Sequence, residues 1–224
     1  MVKVFLDGAD LNTIADCPNV DGYTTNPTLC RKSGITDYKT FGKSIASLAL
    51  GKPVSIEVLA DDFATMESQA REIASWGENV YVKIPVTNTL GYSTGLLVSK
   101  LSNDGIKVNV TALMTMGQIR AMARFLVPQT PAILSIFAGR IADTGRDPVP
   151  FITAANQCKH DKTEILWAST REVYNVKHAE QAGADIITMT PDLIKKMELF
   201  GKDLAEYSRE TVQMFYNDAK GITL

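Results

Sequence analysis

Short runs of apolar, β-branched residues alternate with longer mixed segments from one end of the chain to the other. Eight runs have the length of strands: 2–6, 20–24, 53–58, 79–84, 106–110, 131–136, 164–168 and 184–188. Between them, at 60–76, 90–103 and 116–126 among others, apolar residues recur near every 3.6 positions, the period of an amphipathic helix. Asp10, Thr36 and Asp61 stand where helices should start, and their side chains can accept from the free amides of a first turn. Gly34, Gly51, Gly77, Gly105 and Gly183 stand where helices should stop.

Strands that alternate with helices pair in parallel through right-handed crossovers. Eight such units in 224 residues predict an α/β fold of the closed (β/α)₈ TIM-barrel kind, as one domain over 1–224. The competing architecture is a doubly wound open sheet, but no GxGxxG or GxxxxGK[ST] phosphate loop supports it. Residues 202–219 fall outside the eight units and predict one further, C-terminal helix, with Leu204, Tyr207, Thr211, Met214 and Phe215 along one side. That side would pack on its own barrel as a lid or against a neighbouring subunit.

Composition adds limits. Hydrophobic residues make 45% of the chain, charged residues 21%, and the formal net charge is −2, an ordinary soluble profile without a basic patch for nucleic acid. No apolar stretch is long enough for a membrane span, and Met1–Asp7 reads as a first strand rather than the core of a signal peptide. Cys17, Cys30 and Cys158 lack CxxC spacing and suit free thiols in a cytoplasmic protein. With only His160 and His178 present, a histidine-rich metal site is not expected.

The chemistry-bearing candidates follow from the fold, because catalytic groups of a barrel sit where strands end. One is a lysine inside an apolar run, Val80-Tyr81-Val82-Lys83-Ile84-Pro85. Burial disfavours an ammonium ion, and a neutral amine is what attack on a carbonyl needs. Read from this window alone, the plainer account is that the residue ends a strand and reaches its head into water. The other strand ends are Asp7, Thr25-Asn26, Glu57, Asn109 with Thr111, Ser135 with Phe137 and Arg140, and Ser169 with Arg171. Two carboxylates, an amine and neutral hydrogen-bonders could supply a Schiff-base nucleophile with its proton shuttle. Arg140, Arg171 and a serine could hold a phosphate. Taken one at a time, each has a plainer role as a turn former, a loop anchor or a solvated charge.

The same segments carry a family resemblance. Val4-Phe5-Leu6-Asp7, Tyr23-Thr24-Thr25-Asn26-Pro27-Thr28-Leu29, Val82-Lys83-Ile84-Pro85 and Asn109-Val110-Thr111 resemble, in order, the motifs of the transaldolase family. Ser135-Ile136-Phe137-Ala138-Gly139-Arg140, Ala168-Ser169-Thr170-Arg171 and Ala184-Asp185-Ile186-Ile187-Thr188 resemble its later segments, so the likeness spans the chain. It is to the short members, which include fructose-6-phosphate aldolases. The resemblance implies a class I aldolase-like barrel in which Lys83 forms a Schiff base with a ketose phosphate and Asp7 moves the proton of carbon–carbon cleavage. It implies that Glu57 and Thr111 hold a relaying water, and that Thr25, Asn26, Asn109, Ser135, Phe137, Arg140, Ser169 and Arg171 bind substrate. It implies no metal and no organic cofactor, and a homo-oligomer, pentamer or decamer, joined through the last helix. Glu57 and Phe137 resemble the transaldolase choices, where the aldolases carry Gln and Tyr. Ile136, Trp167 and Thr170 depart from the family pattern; Trp167 would either narrow the sugar pocket or fill space between barrel and helices.

Overall fold

All eight expected strands form, and each pairs in parallel with the next until the eighth closes on the first. The computed structural model describes residues 1–223. The strands are β1 (Lys3–Asp7), β2 (Gly22–Thr24), β3 (Val54–Glu57), β4 (Val80–Pro85), β5 (Val108–Leu113), β6 (Ala132–Ile136), β7 (Thr163–Trp167) and β8 (Ile186–Met189). Outside them lie α1 (Leu11–Asp16), α2 (Pro27–Lys32), α3 (Tyr38–Leu48), α4 (Phe63–Ala74), α5 (Gly95–Asn103), α6 (Met116–Phe125), α7 (Ala138–Asp143), α8 (Val149–Cys158), α9 (Asn175–Ala182), α10 (Pro191–Lys196) and α11 (Leu204–Asp218). The open doubly wound sheet is thereby excluded.

Alternation along each strand divides the core in two. Phe5, Tyr81, Ile133, Leu166 and Ile186 point into the barrel and fill its lower half as one cluster. Leu6, Ile56, Val82, Val110, Leu134, Ile165 and Ile187 point outward and pack beneath the helices. The inward positions nearest the C-terminal ends are polar instead, and they form the floor and walls of an open cavity. The apolar plug below therefore supports a polar layer above.

Local chemistry moved several boundaries. Asp10 caps α1 as expected, but α3 and α4 take Asp37 and Asp62 in place of Thr36 and Asp61, accepting from the amides of Thr40 and Thr65. Asp61 is engaged elsewhere, accepting from the amide and hydroxyl of Thr89 at 2.8 and 2.6 Å. That contact, an antiparallel bridge between Thr87 and Ser93, and Asn88 accepting from Leu90 and Tyr92 hold 87–94 as a folded loop, so α5 begins at Gly95 rather than near 90. Strand β5 runs three residues beyond the expected 106–110 and carries a register shift between Val110 and Leu113, with Ala112 at φ 62°.

The C-terminal helix forms but buries none of its residues. Leu204, Val212, Phe215 and Tyr216 are all at least 61% exposed, so α11 is not a lid on its own barrel. No helix among the described residues is long and apolar enough to cross a membrane.

Candidate active site

Register places the central groups side by side. Glu57 ends β3 opposite Lys83 of β4, and Lys83 lies opposite Asn109 of β5, so three neighbouring strands deliver an acid, an amine and an amide at one level. Lys83 is 6% exposed. Its Nζ donates to the Thr25 carbonyl at 2.8 Å and lies 3.3 Å from Glu57 Oε2. The lysine does not reach past the strand end into solvent; its head stays at the base of the cavity.

Asp7, on the last position of β1, lines the same cavity. Its Oδ1 accepts from the Thr24 hydroxyl at 2.7 Å. Burial pushes its carboxyl above the usual carboxylate range, with Glu57 adding to that effect, while Lys83 and the Thr24 hydrogen bond oppose it. Asn109 is fully buried beneath the cavity, donating to Ser55 Oγ at 2.9 Å and accepting from Ser135 Oγ at 2.7 Å. Tyr38 of α3 donates to the Glu57 carbonyl at 2.8 Å and so pins the end of β3.

Thr111 is the one expected site residue whose polar atom is both buried and without a partner. It lines the cavity from within the β5 irregularity between Val110 and Leu113, a feature that re-aims side chains at strand ends. An orphaned hydroxyl in a polar, roomy site is a natural water ligand.

The cavity holds about 450 Å³ and is also lined by Asn26, Ser135, Phe137, Arg140 and Ser169. Asn26 caps α2, its Oδ1 accepting from Leu29. Arg140 extends over the Phe137 ring, 5.7 Å from its centroid. Ser169 adopts φ 64°, a left-handed conformation that costs a non-glycine residue energy and concentrates at functional sites. The loops after β6 and β7 touch here: a Cβ on Gly139 would fall on the Ser169 carbonyl oxygen, so only glycine permits this approach.

Three expected residues are placed differently. Arg171 does not line the cavity; it forms a two-pronged ion pair with Asp143 at the end of α7, and that hydrogen bonding holds the Asp143 carboxyl below its usual range. Its stem passes across Gly139, so the packing of the two loops turns it outward. Thr25 is fully buried with its hydroxyl 3.3 Å from Cys30 Sγ, and it reaches the site through its carbonyl alone. Asn109 lies below the cavity, hydrogen-bonded to Ser135, rather than on the cavity wall. Trp167 lies 1% exposed on the outward face of β7, in the layer beneath the helices, with its ring stacked near His178. It fills space and does not touch the pocket. Thr24 and Thr188, which do line the cavity, were absent from the expected set. Strand parity could have found them, since a chain with Phe5 and Ile186 inward also turns Asp7 and Thr188 inward.

The chain is similar to known proteins along most of its length. A profile of the family described as "Transaldolase/Fructose-6-phosphate aldolase" matches residues 4–223. A protein of Dehalococcoides mccartyi named "Probable transaldolase" is 36% identical over 205 residues, 88% of this chain and 90% of its own length. One of the same name from Lactiplantibacillus plantarum is 36% identical over 223 residues, covering 93% and 96%. Among solved structures, 3-hexulose-6-phosphate synthase from Salmonella typhimurium superposes with a TM-score of 0.56 at 15% identity, covering 96% of this chain and 99% of that one. N-acetylneuraminate lyase from Mycoplasma synoviae gives 0.56 at 11% identity, covering 97% and 80%. At such identities the structural likeness establishes the barrel alone.

Proposed function

The chain belongs to the transaldolase/fructose-6-phosphate aldolase family, and from this premise we propose that it is a transaldolase. It moves a three-carbon dihydroxyacetone unit from a ketose phosphate such as fructose 6-phosphate or sedoheptulose 7-phosphate to an aldose phosphate, through a Schiff base on Lys83. The observation that carries this reading is the enclosed Lys83 amine, within 3.3 Å of Glu57 and in one cavity with Asp7. A passive sugar-phosphate binder has no use for a desolvated amine beside a carboxylate.

The steps balance with these groups. Lys83, having passed a proton to Glu57, attacks C2 of the ketose; a water bound by Glu57 and Thr111 relays the protons that convert the carbinolamine to an iminium and release water. Asp7 then takes the C4 hydroxyl proton as the C3–C4 bond breaks and its electron pair moves into the iminium, giving an enamine and a departing aldose phosphate. The enamine attacks the acceptor aldehyde while Asp7 returns the proton, and hydrolysis frees the new ketose and the amine. Asn26 and Ser135 hold donor hydroxyls, and Asn109 orients Ser135.

Transfer is favoured over simple aldol cleavage because Phe137 puts a ring without a hydroxyl on the cavity wall, and it cannot order a water for release of the three-carbon unit. Turnover of fructose 6-phosphate should therefore depend on an added acceptor such as erythrose 4-phosphate. Rapid dihydroxyacetone release without acceptor would favour the aldolase reading.

Arg140 and Ser169 are placed to receive the substrate phosphate. Arg140→Ala should raise KM for phosphorylated sugars by roughly 10- to 100-fold, the range for losing a charge-assisted hydrogen bond, and leave unphosphorylated sugars little changed. Arg171→Ala should leave this discrimination as it was, because Arg171 is committed to Asp143. Steady-state kinetics on paired sugars and sugar phosphates separates the two arginines.

The same reading makes the protein a homo-oligomer. What supports it is α11, whose Leu204, Val212, Phe215 and Tyr216 have no cover within the chain.

A further inference from the structure

Asp7 stands on β1 between β2 and β8, and each neighbour contributes one threonine at the cavity floor: Thr24, 3% exposed, and Thr188, 5% exposed. Their hydroxyls are in series. Thr24 Oγ1 donates to Asp7 Oδ1 at 2.7 Å, and Thr24 Oγ1 and Thr188 Oγ1 lie 2.6 Å apart. A hydroxyl has one proton, and an ionised carboxylate can only accept. With Asp7 in the ionised form that acts as base, the Thr24 proton is committed to Asp7, and Thr188 is the donor in the contact between the threonines. The only other acceptor near Thr188 Oγ1 among the described residues is the Phe5 carbonyl, at a long 3.5 Å. Polarity along the chain is thus fixed, from Thr188 to Thr24 to Asp7. Donation into Thr24 polarises its hydroxyl and strengthens the bond it makes onward.

We propose that Thr24 and Thr188 are positioning residues, a two-hydroxyl chain that fixes Oδ1 of Asp7 and reserves Oδ2 for proton exchange with substrate. The inference rests on the reading of Asp7 as the acid–base group. Among the described residues no protein group donates to Oδ2. Without the chain the carboxylate could turn about its Cβ–Cγ bond and present either oxygen, so fewer turnovers would start from the productive geometry. The charged groups facing Asp7 are Lys83 from β4 and Glu57 from β3. The flanking residues 22–24 and 186–189 carry no charge, so any pH effect of altering a threonine passes through its hydrogen bond.

The test compares Thr188→Val, which keeps shape and removes the hydroxyl, with Thr188→Ser, which keeps the hydroxyl. Thr188→Val should lower kcat about three- to tenfold, as expected for one lost neutral hydrogen bond, with KM within about twofold. It should move the acid limb of the rate profile to higher pH, because Asp7 loses part of the support for its ionised form. Borohydride trapping of donor on Lys83 should stay at the parent level. Thr188→Ser should restore both kcat and the limb, and Thr24→Val should exceed Thr188→Val in both effects. Parental kcat and limb in Thr188→Val would overturn the proposal, as would a serine variant no better than valine, or loss of trapping in step with kcat. Asp7→Asn run alongside keeps the failures apart: if it retains full cleavage, the role of Asp7 is wrong, whereas loss of cleavage with an unmoved Thr188→Val refutes the hydroxyl chain alone.

Discussion

Lys83→Met should lower kcat for transfer by about 10⁴-fold or more, because it removes the nucleophile and leaves no group able to form the iminium. Methionine matches the lysine stem and suits the enclosed position, so the barrel should still fold. The lost ion pair leaves Glu57 without its cation, but Glu57 keeps access to cavity water, its side chain being 18% exposed. Stability should accordingly change far less than activity. Circular dichroism with steady-state kinetics separates the two quantities. A folded Lys83→Met protein with more than about one hundredth of the parent rate would show that the nucleophile lies elsewhere.

The second large effect is at Asp7. Asp7→Asn keeps shape and removes the base, so the Schiff base should still form while carbon–carbon cleavage slows by about 10²- to 10⁴-fold, the usual range for a positioned general base. The parent rate should fall as pH is lowered through the Asp7 pKa. That limb should lie above the ordinary carboxylate range, because burial favours the protonated form. The stability consequence has the opposite sign to the usual carboxylate case. A carboxyl whose pKa rises on folding binds more protons in the native state, so stability is greatest below the unfolded-state pKa and declines as pH rises through the folded one. Asp7→Asn should therefore resist urea better than the parent at neutral pH while being nearly inactive. Donor trapped on Lys83 without cleavage, together with that gain in stability, is the expected pair of results. A loss of stability at neutral pH would mean that attraction to Lys83 outweighs desolvation at Asp7.

Much of this site is legible in the sequence. The short apolar runs, set between segments of period 3.6, located all eight strands and their order, and parallel pairing then carried Glu57, Lys83 and Asn109 to one level. Asp7 and Thr111 were legible for the same reason: strand ends in a barrel converge. What stayed hidden depended on tertiary partners. Arg140 and Arg171 look alike in sequence, and only Asp143, with the close approach of Gly139 to the Ser169 carbonyl, decides which one faces the cavity. Thr24 and Thr188 carry no distinguishing mark in the sequence, because threonine is common in strands on propensity alone; their 2.6 Å contact joins residues 164 positions apart. The cap of α4 was ambiguous because Asp61 and Asp62 are adjacent, and a tertiary bond to Thr89 takes the first. Trp167 was decidable by parity, since Leu166 faces inward and its neighbour must face the helices.

The central claim is that the amine of Lys83 attacks the ketone of the donor. Its most direct test is borohydride reduction in the presence of fructose 6-phosphate, followed by mass spectrometry of the peptide that contains Val82-Lys83-Ile84. The expected result is a covalent adduct confined to Lys83, absent without sugar and absent in Lys83→Met. No adduct on the parent protein, or an equal adduct in Lys83→Met, would contradict it.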